Sequence, residues 1–202
     1  MKLNIRSIVT AFVLVGSAVP STSNALTMIA SDINDICERA KWIVLAKVVK
    51  EELQYASDVA RTPSMCYTLQ KISRWDKHSD LAPMRLCYLG DLISTRHLIV
   101  AGLRYPVVNE IGIFFISSLE GDDTISPLVG WNQGHFEIKM SDAMVKSVYT
   151  SDSKAVCGFD SAARSDSLDG ASADGLIVDS EKKHCSPIAI TEFEEKVRQC
   201  SR

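Results

Sequence analysis

The sequence predicts a mainly β fold: a closed or nearly closed barrel of five or six short strands, with a short helix at each end. Three observations predict it. Short runs rich in branched and aromatic residues are separated by clusters of Gly, Pro, Asn and Asp. Apolar residues at helical spacing occur near the two ends of the chain after residue 25, and no internal repeat is visible. A β-sandwich is the alternative architecture.

The elements follow in order. Ser31 is placed to cap a helix running to Ala40, with Ile33, Ile36 and Ala40 at helical spacing and Asp32 and Asp35 in the first turn. Trp42 to Val49 is apolar on both faces and reads as a strand covered on each side, by the terminal helices or else by a docked partner. Residues 50–64 read as a loop or strand extension. In Met65 to Trp75, Tyr67 and Leu69 point one way and Thr68 and Gln70 the other. Asp76 to Pro83 is a turn, and Met84 to Leu89 alternates cleanly. These two strands form an antiparallel hairpin with Cys66 and Cys87 on neighbouring strands.

Leu98 to Ala101 is a short apolar piece. Ile111 to Ile116 is the most apolar run and reads as a central barrel strand, in which Gly112 permits a tight bend. Gly121-Asp122-Asp123 is a turn. Leu128 to Trp131 and His135 to Ile138 flank Asn132-Gln133-Gly134 in a hairpin-like pattern. Ser, Asp, Ala and Gly dominate residues 160–175, a mobile surface loop with Cys157 and Cys185 placed to hold its base. Thr191 and Glu194 form a capping box for a helix from Glu192 to Cys200, with Phe193 and Val197 as its apolar stripe. The order helix, long strand, hairpin, strand, hairpin suggests an OB-like barrel.

The first residues read as an export signal. Lys2 and Arg6 give a positive start, Ile8 to Val15 a short apolar stretch, and Ser23-Asn24-Ala25 small residues for cleavage after Ala25. No stretch is long enough to span a membrane, which takes roughly 20 apolar residues. The chain then divides into a signal peptide (1–25), the barrel (26–150), a flexible Ser/Asp/Gly-rich loop (151–183) and a C-terminal helix packing on the barrel (184–202). Cleavage removes two basic and no acidic residues, moving the net charge from −3 to −5. No long basic run is present, so the footprint of a nucleic-acid binder is missing. The expected location is secreted or periplasmic.

All six cysteines follow the signal: Cys37, Cys66, Cys87, Cys157, Cys185 and Cys200. An even count on an exported chain argues for three disulfides, and the spacings are wider than paired thiolate ligands use. Six cysteines leave 15 connectivities open. A cysteine nucleophile is disfavoured by the same oxidation.

Catalytic and metal motifs are sparse. His78, His97, His135 and His184 share no i, i+4 spacing, so no His-Glu-x-x-His site exists. Asp76-Lys77-His78-Ser79-Asp80 reads as a polar turn, and Asp166, Asp169 and Asp174 lack the alternation of a calcium loop. No Gly-x-Ser-x-Gly elbow, phosphate loop or dinucleotide fingerprint appears, and no cofactor or metal is expected. A triad assembled from distant Ser, His and Asp leaves no linear signature, so a hydrolase stays open as an alternative. Trp131 and His135 flank the Gly134 turn and are the candidate protein-contact residues, while Trp42 and Trp75 lie near strand ends.

Ile36-Cys37-Glu38-Arg39-Ala40-Lys41-Trp42-Ile43-Val44-Leu45-Ala46-Lys47-Val48 resembles the opening of the tissue-inhibitor-of-metalloproteinase and netrin-like domains, and Tyr67-Thr68-Leu69-Gln70-Lys71-Ile72 is similar to their second strand. Glu110 to Ile116 and Gly130-Trp131-Asn132-Gln133-Gly134-His135-Phe136 resemble a set of uncharacterised exported bacterial proteins in which a Gly-Glu-hydrophobic-Phe strand precedes a Gly-x-x-Gln-Gly-x-Phe hairpin. The likeness covers residues 31–139. It implies a small TIMP/netrin-like OB barrel whose Cys37 is tied to a cysteine near the C-terminus. With it goes the pairing Cys37–Cys200, Cys66–Cys87 and Cys157–Cys185. The inhibitors chelate zinc through an amino-terminal cysteine; here cleavage would leave Leu26 first and Cys37 inside the chain, so that function does not carry over. The expected function is a disulfide-bonded binding module without catalysis, meeting a protease or another protein. A hydrolase and a cell-envelope structural protein are the alternatives.

Overall fold

The computed structural model describes residues 29–55, 62–75, 82–94, 98–119, 125–140, 145–165, 171–180 and 184–200. The expected signal peptide, the two polar turns at 76–80 and 121–123, His78, His97, Asp166 and Asp169 lie outside them.

The fold is mainly β. Helix α1 (Ile33–Arg39) leads into β1 (Trp42–Tyr55), β2 (Pro63–Arg74), β3 (Met84–Leu89) and β4 (Ile111–Ile116). A 3-10 turn (Trp131–Gly134) runs into β5 (His135–Met140), followed by β6 (Lys146–Thr150), β7 (Val156–Phe159), β8 (Leu176–Val178) and helix α2 (Ile190–Cys200). Six strands form one antiparallel sheet in the order β3-β2-β1-β4-β5-β6; β7 and β8 pair separately. Among the described residues no helix is long and apolar enough to cross a membrane.

Strand β1 organises the sheet. Its first half pairs with β4 on one side, and nearly its whole length pairs with β2 on the other. The apolar run at 42–49 is buried on both faces as far as Val48. Ile43 and Leu45 join one core with α1, α2 and the β7–β8 hairpin, while Val44, Ala46 and Val48 join a second core with Tyr67, Tyr88, Tyr105 and Phe114. Register shifts after Leu45 and after Val48 bend the strand so that β2 can wrap the second core.

Of the closed or nearly closed barrel expected from the strand count, the closed form is not what is found: the six-stranded sheet is not closed. Each edge is occupied by local chain. Val148 N–H donates to Ile188 O at 3.1 Å, Ala155 bridges Tyr149 on β6, and Leu89 N–H at the end of β3 donates to Ile125 O at 3.0 Å. Edge groups satisfied in this way have no call for a partner strand across the seam.

The helix ends also differ from expectation. Asp32 caps α1, its carboxylate accepting from Asn34 N–H at 2.8 Å. Ser31 N–H is taken by Gln133 instead. Helix α2 starts at Ile190, which places Thr191 inside the first turn rather than at the cap. Its buried stripe is Phe193 and Val197, as the spacing predicts, and Phe193 meets Trp75, Phe115, Phe136 and Phe159 at centroid distances of 4.8–6.5 Å. Residues 151–183, expected as loop, contain both β7 and β8, with Ala173 and Leu176 buried in the first core.

The three disulfides join Cys37 to Cys200, Cys66 to Cys87 and Cys157 to Cys185. The first clamps the two helices together, the second links directly opposed residues of β2 and β3, and the third holds the segment after β8 to β7.

Candidate functional site

The segment expected to be a hairpin is not one. Leu128 bridges Ile116, the chain turns through Gly130 and Trp131, both in the left-handed region (φ 62° and 57°), and only then enters β5, which pairs with β4 and β6. The misleading signal was Asn132-Gln133-Gly134, which has turn composition but serves as a set of anchors.

Each residue of that turn fixes a different part of the molecule. Asn132 Oδ1 accepts from Arg104 N–H at 2.8 Å, and its Nδ2 donates to Gly102 O, holding the long segment between β3 and β4. Gln133 holds the stretch before α1: Oε1 accepts from Ser31 N–H at 2.7 Å and Nε2 donates to Ile29 O at 3.1 Å. Gly134 passes so close to Val129 that an added Cβ would lie 2.5 Å from the Val129 carbonyl oxygen.

His135, expected as a protein-contact residue, is internal: only 1% of its surface is exposed. Its ring stacks on Phe114 with centroids 4.7 Å apart. Gly112, expected to permit a bend, instead leaves room for the ring, since a Cβ there would sit 3.1 Å from His135 Nε2. That nitrogen lies 2.6 Å from Glu110 Oε1, although the ring N–H is not in line with the oxygen.

Around this pair stands a partly buried ion cluster. Arg104 Nη2 is 3.3 Å from Glu110 Oε2 and is paired with Glu137 Oε1. Glu137 Oε2 also takes Lys139 Nζ at 2.8 Å and Ser153 Oγ at 3.0 Å, while Val107 N–H donates to Glu110 Oε2 at 3.2 Å. Burial alone would raise the Glu110 carboxyl, but His135 and then Arg104 outweigh it and hold the group below the ordinary carboxylate range. The guanidinium sits between both carboxylates, and among the described residues no three His, Cys, Asp or Glu side chains converge as a metal site. The cluster's chemistry is consumed in fixing the 98–110 segment to β4 and β5.

Arg104, Glu110 and Glu137 were not singled out from the sequence. A signal existed: Arg104 and Glu110 are the only charged residues between positions 98 and 116. A single opposite pair in so apolar a stretch is what a buried ion pair leaves in a sequence.

Trp131 is half-buried and packs on the second core. It lines an open groove of about 490 Å³ with Ile29, Ser31, Arg39, Ile125 and Leu128. Trp42 packs on the same core from the start of β1, and Trp75 is buried in the first. His184 is largely exposed, its Nδ1 3.3 Å from Asp179 Oδ1. Among the described residues neither His135 nor His184 is hydrogen-bonded to a serine hydroxyl.

A second feature is the pair of stretches 91–94 and 98–107. Asp91, buried, accepts from Ile93 N–H at 3.1 Å and Ser94 N–H at 2.8 Å, and its own N–H donates to Leu98 O at 2.8 Å. Leu103 and Tyr105 are sunk in the second core, and Tyr105 Oη donates to Leu89 O at 2.6 Å. Between these fixed points Ile93, Leu98, Ile99 and Val107 stay exposed, Ile99 by 63%.

Compared with protein-family models, with curated proteins and with solved structures, the chain matches none.

Proposed function

We propose that the chain is an exported, disulfide-bonded binding module that offers the apolar side chains of residues 91–94 and 98–107 to a protein partner. One observation carries this reading. These stretches are locked at their roots by Asp91, Asn132, Arg104 and Glu110, yet they hold four large apolar side chains in solvent. Ordering an apolar loop with buried polar contacts lowers the entropic cost of docking it later. Three disulfides suit an oxidising compartment and support the export reading. The pairings β1–β2, β2–β3, β1–β4 and β4–β5 support an OB-like layout opened at one seam, in keeping with the resemblance to TIMP and netrin-like domains.

Catalysis is disfavoured because, in the histidine–carboxylate cluster described, the His135 ring is buried and both carboxylates are already paired with Arg104. The test combines affinity capture from the exported proteins of the source with a serine-directed covalent probe. The wild type retains a specific partner, while Ile99→Asp/Val107→Asp loses it with an unchanged melting temperature. Stoichiometric labelling of the folded chain by the probe, or equal capture by the variant, would overturn the proposal.

A further inference from the structure

The three disulfides differ in what surrounds them. Cys37 and Cys66 are 2% and 1% exposed, so each of their bridges has one end sealed in the fold. Cys157 and Cys185 are both half-buried, which leaves the third bridge open to solvent at either end. Cys157 is also the extra residue of a bulge: Val156 pairs with Val178 and Gly158 with Ile177, so no residue of β8 stands opposite it. Cys185 lies outside the helices and strands, next to the largely exposed His184.

The backbone around this bridge is held by contacts that do not include it. Asp179 N–H donates to Ala155 O at 2.9 Å, Asp179 Oδ1 accepts from Cys185 N–H at 3.1 Å, and Ile188 N–H donates to Val156 O at 2.8 Å. These bonds fasten the chain on both sides of Cys185 to the start of β7, so an opened bridge leaves its two sulfurs beside each other. Exposed disulfides are the labile ones, because exchange needs a thiolate to reach a sulfur. We propose that Cys157–Cys185 is a thiol-exchange site, opened by an external dithiol and closed again without unfolding. A thiolate of the dithiol attacks one sulfur of the bridge. The S–S bond breaks, and its electron pair leaves on the other sulfur, which takes a proton. The second thiol of the dithiol, as thiolate, then resolves the mixed disulfide, and the sulfur it releases takes a proton in turn. The protein gains two electrons and two protons, and the dithiol is oxidised to a disulfide.

The experiment treats the folded, fully oxidised chain with graded dithiothreitol, blocks the new thiols with iodoacetamide and maps them by peptide mass. Cys157 and Cys185 are expected to be labelled together, at least about tenfold faster than the other four cysteines, while the near-ultraviolet circular dichroism keeps its folded form. Replacing dithiothreitol by oxidised glutathione, without the blocking step, restores the same bridge. Opening of another bridge first, or of all three together with loss of the folded signal, overturns the proposal. So does a reduced pair that ends as two glutathione adducts instead of the bridge, because the sulfurs are then not held together by the fold.

Discussion

Gly134 and Gly112 decide how closely three pieces of backbone approach around His135. At Gly134 the obstruction is the Val129 carbonyl, 2.5 Å from where a Cβ would stand, and it cannot rotate away. Gly134→Ala is expected to destabilise the fold by about 3 kcal/mol, the upper end of overpacking effects. Gly112→Ala, whose Cβ would meet contacts of 3.0–3.1 Å, is expected to cost about 1–2 kcal/mol. Urea midpoints of the two variants check both the size and the order. Glu110 gives the second prediction at this scale. Its carboxyl is held below its ordinary value in the fold, so the stabilisation is complete above the unfolded pKa of about 4.3 and fades as pH falls through the folded value. Unfolding free energies measured from pH 6 to pH 2 should therefore drop on the acid side, less steeply in Glu110→Gln. The roles of the two glycines and of His135 could not be read from the residues alone. A glycine in a strand signals a bend and a close approach equally well, and the histidine's burial depends on a ring stacked from the neighbouring strand.

Elements were legible where periodicity is local. Trp42–Val49, Ile111–Ile116 and the Cys66/Cys87 hairpin follow from alternation and branched side chains, and each is present. Strands β7 and β8 were hidden because their flanks are rich in Ser, Asp and Gly; they exist by packing Val156 and Leu176 under α2, not by intrinsic preference. The short helices need the same tertiary support. Seven residues of α1 are too few to be stable alone, and its ties are Ile33, Ile36 and the bridge to α2. Breaking Cys37–Cys200, which spans 163 residues, should destabilise by up to about 5 kcal/mol; breaking Cys66–Cys87, which spans 21, by about 3 kcal/mol. Thermal unfolding of the paired Cys→Ser variants tests that order. Phe193→Ala empties the centre of the aromatic cluster and should cost about 3–5 kcal/mol, read from the same melts.

At the scale of the molecule, the sheet's openness was the least legible property. Closure depends on which distant edges meet, and no local pattern encodes that Ala189 and Ile125 would reach the edges first. The double-faced burial of β1 was legible, and it divides the protein into a helical side and a side covered by the 98–110 segment. Exposed substitutions on the latter, such as Ile99→Asp, should leave stability within about 0.5 kcal/mol while removing partner capture, a separation that melting curves and binding assays on one preparation can resolve.

The Cys37–Cys200 bridge ties α1 to the end of α2, with Cα atoms 6.1 Å apart. Grafting the molecule to a support, a fluorophore or another protein through an exposed side chain of either helix, such as Glu38 or Gln199, would therefore attach it by the same flank. The opposite flank would point outward whichever helix is chosen.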